Sequence, residues 1–317
     1  MNSDILKKRF GKHTVSFIRF VFLMTFSYIL IYPLLFMLSN AVKSQNDIIN
    51  PAVTWIAKSA TFENFKYAFS IMEFPKSLIN TLIYQIVSAL LSVISCAVYA
   101  YALARYEFPL KKLFLFFLVL IIFVPDIVLI IPRTLNFRSM DFLGLLGLFN
   151  KITGIDLRPN LTDTVAAFYL PAILGVGLKG GMFIFIYMQF FKGLPAELEE
   201  AAWVDGAGPI TTFVRIILPS SGVVILTVSI FSVIWHWNDW LYPIMYTQNN
   251  RTLSVMTKDI VQYTSAYVQS SLQQFDSERV FGIHLAACVL YILPLLIFYI
   301  ILQKRFIQSI DRVGIVG

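Results

Sequence analysis

Six long apolar stretches limit what this chain can fold into more than any other feature. They cover about residues 17–38, 78–104, 113–132, 164–191, 223–246 and 283–302. A helix that crosses a bilayer needs ~20 mostly apolar residues. Strands of an outer-membrane barrel would be shorter and would alternate polar with apolar positions. The stretches therefore predict an all-α integral membrane protein with six transmembrane helices and both termini on one side. Composition agrees, since 58% of the 317 residues are hydrophobic and 14% are charged. A soluble domain carries about 25% charged residues and has too little polar surface to cover this much apolar area. Intrinsic disorder needs the opposite balance.

Charge gives the orientation. Lysine and arginine gather near cytoplasmic span ends. The N-terminal arm, residues 1–16, carries Lys7, Lys8, Arg9 and Lys12. The link between the second and third stretches carries Arg105, Lys111 and Lys112, and the tail, residues 303–317, carries Lys304, Arg305 and Arg312. These segments alternate correctly for one face, so the N and C termini are expected in the cytoplasm, with the membrane domain at 17–302 between them. The longer loops at about 39–77, 133–163 and 247–282 then face outward. No small-residue cleavage site follows the first stretch, which reads as a retained anchor. The net charge of +7 points to no nucleic acid, because the 25 basic residues form neither a run nor a basic–aromatic stripe. Cys96 and Cys288 lie in apolar stretches and read as small packing residues. His13, His236 and His284 lack metal-ligand spacing, so no metal site is expected. No catalytic set stands out, and the sequence lacks a Gly-x-x-x-x-Gly-Lys-Ser/Thr phosphate loop.

One cytoplasmic loop, about 192–222, breaks the charge rule by being acidic. Pro195 suits a first helical position. Glu197, Glu199 and Glu200 sit where the positive end of a helix dipole favours them. Leu194, Leu198, Ala201 and Ala202 fall on one face at helical spacing. Gly206 can end the helix in a left-handed conformation, and Gly208-Pro209 stops any continuation. A helix lying on lipid would carry basic residues, so an acidic edge beside small residues suits a protein partner better.

The spacing within this loop is the basis of a family resemblance. Glu200-Ala201-Ala202, three residues, Gly206, nine residues, Ile216, one residue, then Leu218-Pro219 resembles the EAA loop of permease subunits in binding-protein-dependent ABC importers. Glu199 and Asp205 belong to the same segment. Further likeness to the MalG-like carbohydrate-uptake branch comes from Tyr32-Pro33-Leu34 with Lys43, from Ser77, Asn80 and Thr81, and from Ala100-Tyr101 through Arg105. Trp237-Asn238-Asp239 and Gln303-Lys304-Arg305-Phe306 add to it, so the resemblance covers most of 17–312. There are two departures. The loop at 133–163 is longer than usual, and the chain ends Gly314-Ile-Val-Gly317 where the branch commonly ends Gly-Ala-Val-Lys-Gly.

The resemblance implies a type I ABC importer permease fold and a multi-pass protein of a bacterial cytoplasmic membrane. It implies a second homologous permease, as a heterodimer, an ATPase dimer, an extracytoplasmic solute-binding protein, and a lipid bilayer around the spans. It implies no cofactor on this chain, with ATP and Mg on the partner ATPase. The coupling residues it marks are Glu199, Glu200, Ala201, Ala202, Asp205, Gly206, Ile216, Leu218 and Pro219, on a helix seated in an ATPase cleft that drives alternating access.

Charges at membrane depth are costly and usually face a partner or a cavity. The candidates for a substrate pathway are Lys179, Trp235, Trp237, Asn238 and Asp239. Lys179 sits in Gly175-Val-Gly-Leu-Lys-Gly-Gly181, and glycine-interrupted spans often mark an unwound helix beside a transport path. A tightly packed helix with Lys179 reaching a partner is the other reading. Trp235 through Asp239 fits sugar stacking and hydroxyl bonding, and equally an interfacial aromatic belt. Asp126, after Pro125, is a weaker candidate. An ion-gradient-driven secondary transporter would also explain six spans and buried charges, though not the spaced EAA pattern.

Overall fold

The computed structural model describes residues 2–141, 144–272 and 277–313. The terminal segment 314–317, with its departure from the family ending, lies outside the described residues. Among the described residues regular structure is helical, apart from an isolated bridge between Lys43 and Ala60. Apart from a short helix at Gln45–Ile49, the helices in chain order are α1 Asn2–Ala41, α2 Glu63–Ile71, α3 Phe74–Arg105, α4 Lys111–Phe123, α5 Asp126–Arg138, α6 Leu145–Thr153, α7 Ala166–Ile173 and α8 Gly180–Gly193. They continue as α9 Glu197–Val204, α10 Pro209–Ser220, α11 Gly222–Asn238, α12 Leu241–Tyr246, α13 Leu253–Lys258, α14 Ile260–Leu272 and α15 Ser277–Val313.

The apolar stretches are not all straight rods. Among the described residues, three helices are long and apolar enough to cross a bilayer: Val15–Ala41, Phe74–Arg105 and Val280–Ile301. The third stretch divides into α4 and α5, bent by 106° at Val124-Pro125. Pro125 forbids the helical hydrogen bond and pushes the preceding residue into extended backbone. The fourth stretch divides into α7 and α8 around Gly175 and Gly177, with Gly175 at φ +70°. The fifth runs as α11, breaks at Asp239-Trp240 and resumes as α12, and α10 meets α11 at 81°.

The chain forms two compact units, one made of residues up to Met72 with Asp259–Ile292, the other of Glu73–Lys258 with the chain from Leu293 onward. In the first, α1 keeps its apolar side chains exposed along Val15–Phe36, a surface suited to lipid or another chain. Lys43, just past α1, is buried and donates to Asn40 Oδ1 at 2.9 Å and to the carbonyls of Val53 and Thr54 at 3.0 and 2.9 Å. Burial holds its pKa below the ordinary lysine value, with Asp47 opposing. The α2 helix packs on α14, with the Tyr67 and Tyr267 rings 5.9 Å apart.

The second unit is built around α3, on which α8, α11 and α7 pack. Its buried residues Ala89, Ser92, Cys96, Ala97 and Ala100 recur at helical spacing and form a small-residue stripe. Lipid tails are as apolar as leucine, so helices in a membrane associate through close packing and hydrogen bonds rather than through exclusion of water. The stripe permits that approach. Phe183, Tyr187 and Phe191 of α8 fill the space against it, with Val224 and Val228 of α11. Ser95 Oγ donates to the Ala172 carbonyl at 2.6 Å, and Ser232 Oγ to that of Ala89 at 3.0 Å. Interhelical bonds of this kind contribute about 0.6 kcal/mol each. A side chain on Gly181 would meet Ile121 Cγ2 at 2.9 Å, so this glycine is what lets α8 lie against α4.

Candidate functional site

Two sites emerge in the second unit, and the acidic loop forms the first. It folds as α9, as the dipole argument requires. Gly206 takes φ +79° and ends it. The Gly206 amide bonds the Trp203 carbonyl at 3.0 Å and the Ala207 amide bonds that of Ala202 at 2.9 Å. This paired arrangement satisfies the last carbonyls of the helix. The face expected from Leu194, Leu198, Ala201 and Ala202 divides instead. Glu199 and Ala202, three apart, turn inward, while Leu198, Glu200, Ala201, Trp203 and Val204 are exposed. The reason is electrostatic. Glu199 Oε1 accepts a 2.6 Å bond from Tyr101 Oη, and Oε2 lies 3.3 Å from Arg105 Nε. Arg105 also donates from Nη2 to the Leu194 carbonyl at 2.6 Å. Asp205, Gly206 and Pro219 are exposed, and Ile216 and Leu218 are half-buried. The loop returns through a π-helical stretch, Phe213–Ile217, whose Phe213 ring stacks on Tyr101 at 4.7 Å. Such stretches are frequent at functional sites.

The second site lies where the broken stretches begin again. Lys179 starts α8 in a left-handed conformation, φ +57°. A residue with a side chain is strained there, and a cation opposes the helix dipole. Two contacts offset this. Lys179 Nζ lies 3.3 Å from Asp126 Oδ2, at the first turn of α5, and 4.9 Å above the Trp235 ring of α11. Asp126 Oδ1 accepts from Tyr242 Oη at 3.2 Å, and Arg133 Nη1 donates to the same hydroxyl at 3.0 Å. A cavity of about 240 Å³ opens beside these groups, lined among others by Asp126, Arg133, Lys179, Trp235, Ile121 and Met182. It has room for several waters at ~30 Å³ each.

The candidates from sequence are thus divided. Lys179 and Trp235 meet at the cavity, with Asp126. Trp237 is buried, and Asn238 is exposed and donates to the Ile234 carbonyl at 2.8 Å. Asp239 Oδ1 accepts the Leu241 and Tyr242 amides at 3.0 and 3.2 Å, capping α12. Its carbonyl is held by Ser254 Oγ at 2.6 Å and by Gln85 Nε2. Asp239 therefore mends a chain break, the physical reason for an acid at that depth. Arg133, Tyr242 and Gln85 escaped the sequence reading. Arg133 directly follows an apolar stretch and looks like a boundary charge, while Gln85 and Tyr242 carry no formal charge to draw notice.

The comparison with known proteins agrees with this arrangement. Residues 94–312 match the profile of the family described as binding-protein-dependent transport system inner membrane component. The chain belongs to this family. The match includes the whole acidic loop and the breaks of the fourth and fifth stretches. Family membership makes it a transport component rather than a catalytic one, and a multi-pass protein of the cytoplasmic membrane. It also favours binding-protein-dependent transport over an ion-driven secondary transporter.

Among curated relatives, this permease is 29% identical to the diacetylchitobiose uptake system permease protein NgcG of Streptomyces coelicolor, over 92% of this chain and 85% of that one. It is 27% identical to the trehalose transport system permease protein SugB of Mycobacterium tuberculosis, over 90% and 92%. It shares its fold with a bacterial ABC transporter involved in the import of the acidic polysaccharide alginate. That match has a TM-score of 0.69 at 18% identity and covers 93% of this chain and 98% of the other.

Proposed function

We propose that this chain is one of two homologous permease subunits of an ATP-driven importer for a sugar or oligosaccharide. It provides half of the translocation pathway. In this reading the chain has six spans, with a cytoplasmic arm at 1–16, a membrane domain at 17–302 and a cytoplasmic tail at 303–317. The helix α9 is the coupling helix. Glu200, Ala201, Asp205 and Gly206 face one subunit of a separate ATPase dimer, and Glu199, Ala202, Ile216, Leu218 and Pro219 support that surface. ATP and Mg reside on the ATPase, and a solute-binding protein delivers substrate from outside. Lys179 and Trp235 line the pathway, while Trp237, Asn238 and Asp239 shape its wall.

The observation that carries this reading is the family match through a loop whose outer face is left uncovered. Leu198, Trp203, Val204 and Ile210 are large, apolar and exposed, Val204 at 88% and Ile210 at 80%. Such a patch marks a partner surface. The sugar class is supported by the named relatives.

The test is uptake into right-side-out vesicles containing the full complex. Transport is expected only with internal ATP and the partner chains, and uptake on an ion gradient alone overturns the reading. The coupling role is tested with Gly206→Phe. No atom crowds Gly206, so the cost is the backbone conformation, roughly 1–2 kcal/mol. The complex should assemble while its transport-linked ATP hydrolysis falls; unchanged hydrolysis rejects the role.

A further inference from the structure

Adjacent glutamates in α9 have opposite environments. Glu200 is exposed, and Glu199 is 5% exposed and held by two partners from α3. Those partners, Tyr101 and Arg105, are four residues apart and so stand on one face of α3. Between them they touch both limbs of the loop. Arg105 binds the Leu194 carbonyl and the Glu199 carboxylate ahead of Gly206, and the Tyr101 ring stacks on Phe213 beyond it. Far along the same helix, Gln85 grips the Asp239 carbonyl where α11 breaks before α12. The rise from Gln85 to Tyr101 is about 24 Å for 16 residues at ~1.5 Å each.

We infer that Tyr101, Arg105 and Glu199 are positioning residues that clamp α9 to α3. The clamp makes α3 the lever that carries motion of the loop to the break of the fifth stretch. The inference rests on reading α9 as the ATPase-facing helix. A carboxylate enclosed with a guanidinium and a hydroxyl cannot slide gradually, because each partial separation leaves a buried charge without its counterpart. The clamp therefore behaves as a rigid joint, and the exposed face of α9 is left to bind. Force applied to that face passes into α3 and on to Asp239.

The experiment places spin labels at Glu197→Cys on α9 and Val98→Cys on α3, both exposed, in a Cys96→Ala, Cys288→Ser chain. The assembled complex in nanodiscs is measured without nucleotide and with ATP and vanadate. A single label-to-label distance, the same in both states, is expected. Glu199→Gln and Tyr101→Phe should split or shift that distance and lower ATP hydrolysis by roughly tenfold, within the 5- to 150-fold range of coupling effects. Tyr101→Phe keeps the ring on Phe213, so its complex should still assemble, melting a few degrees below the parent for the lost bond to a buried carboxylate.

A parent distance that changes between the two states overturns the inference. So does a Tyr101→Phe complex that keeps the parent distance. Failure of the underlying reading has a different signature: Gly206→Phe and Glu200→Ala would both leave hydrolysis unchanged whatever the distances show.

Discussion

Two ion pairs in the same compact unit differ chiefly in enclosure. The side chains of Arg105 and Glu199 are 14% and 6% exposed, and those of Lys179 and Asp126 are 34% and 30% exposed. The first pair is completed by protein groups, a tyrosine hydroxyl on the acid and a backbone carbonyl on the base. The second borders a cavity and borrows an indole face. An enclosed pair fixes geometry, because separating it exposes neither ion to water. A half-open pair can exchange its partner for water or solute at smaller cost. Enclosure thus separates a joint from a contact that a transport cycle can break and remake.

The sharpest break of this comparison is Glu199→Ala beside Glu200→Ala. Removing one partner of a buried pair costs about 3–5 kcal/mol, whereas an exposed substitution changes stability by roughly 0.5 kcal/mol or less. Melting of the purified complex in detergent should drop by several degrees for the first and hardly move for the second. Equal melting temperatures would mean that Glu199 is not enclosed as described.

Lys179→Met comes next. The pair is a third open to water, so the thermodynamic loss should be smaller, on the order of 1–2 kcal/mol after screening. The functional loss should be the larger part, with uptake reduced about tenfold for a coupling of ~1.4 kcal/mol. Lys179→Met with Asp126→Asn sharpens the result. If the pair only holds α5 and α8 together, removing both charges restores uptake along with melting temperature. If it works in the pathway, melting recovers and uptake does not. Normal uptake in Lys179→Met alone ends the pathway role.

Much of this architecture was legible in the sequence, and the exceptions have physical causes. Long apolar stretches reveal spans because every backbone group in lipid must be satisfied within the helix. The end of α9 was legible because Gly206 acts within one turn, whereas the helix begins at Glu197, two residues past the proline expected to open it. Hydropathy was blind to the break at Asp239, because Trp240, Tyr242 and Pro243 keep that segment apolar across it. The bend at Val124-Pro125 was signalled by the proline but not its 106° angle, which tertiary packing sets. Glu199 and Glu200 are indistinguishable by composition. Only the position of Tyr101 and Arg105, about a hundred residues earlier, decides which one turns inward. Long-range pairing of this kind leaves no periodic trace in a single sequence.

A third ion pair lies within a loop, its side chains 30% and 50% exposed, and the smallest effect is expected there. In the loop between α6 and α7, Arg158 Nε and Nη2 donate to Asp156 Oδ1 and Oδ2 at 2.9 and 2.7 Å. The Arg158 fork holds the Asp156 carboxyl at about 2, below its ordinary value, while half of the Asp156 side chain stays open to water. Because the folded value is lowered, any stabilisation is complete above the ordinary ~3.9 and fades as pH falls toward 2. Water screens such a pair and many contribute nothing measurable, so Arg158→Gln should leave melting and uptake unchanged at neutral pH. Its signature is local. A carbon-13 titration of Asp156 should move from about 2 back to ~3.9. Global destabilisation in Arg158→Gln would show that geometry matters more than enclosure, and would undercut the distinction drawn between the two inner pairs.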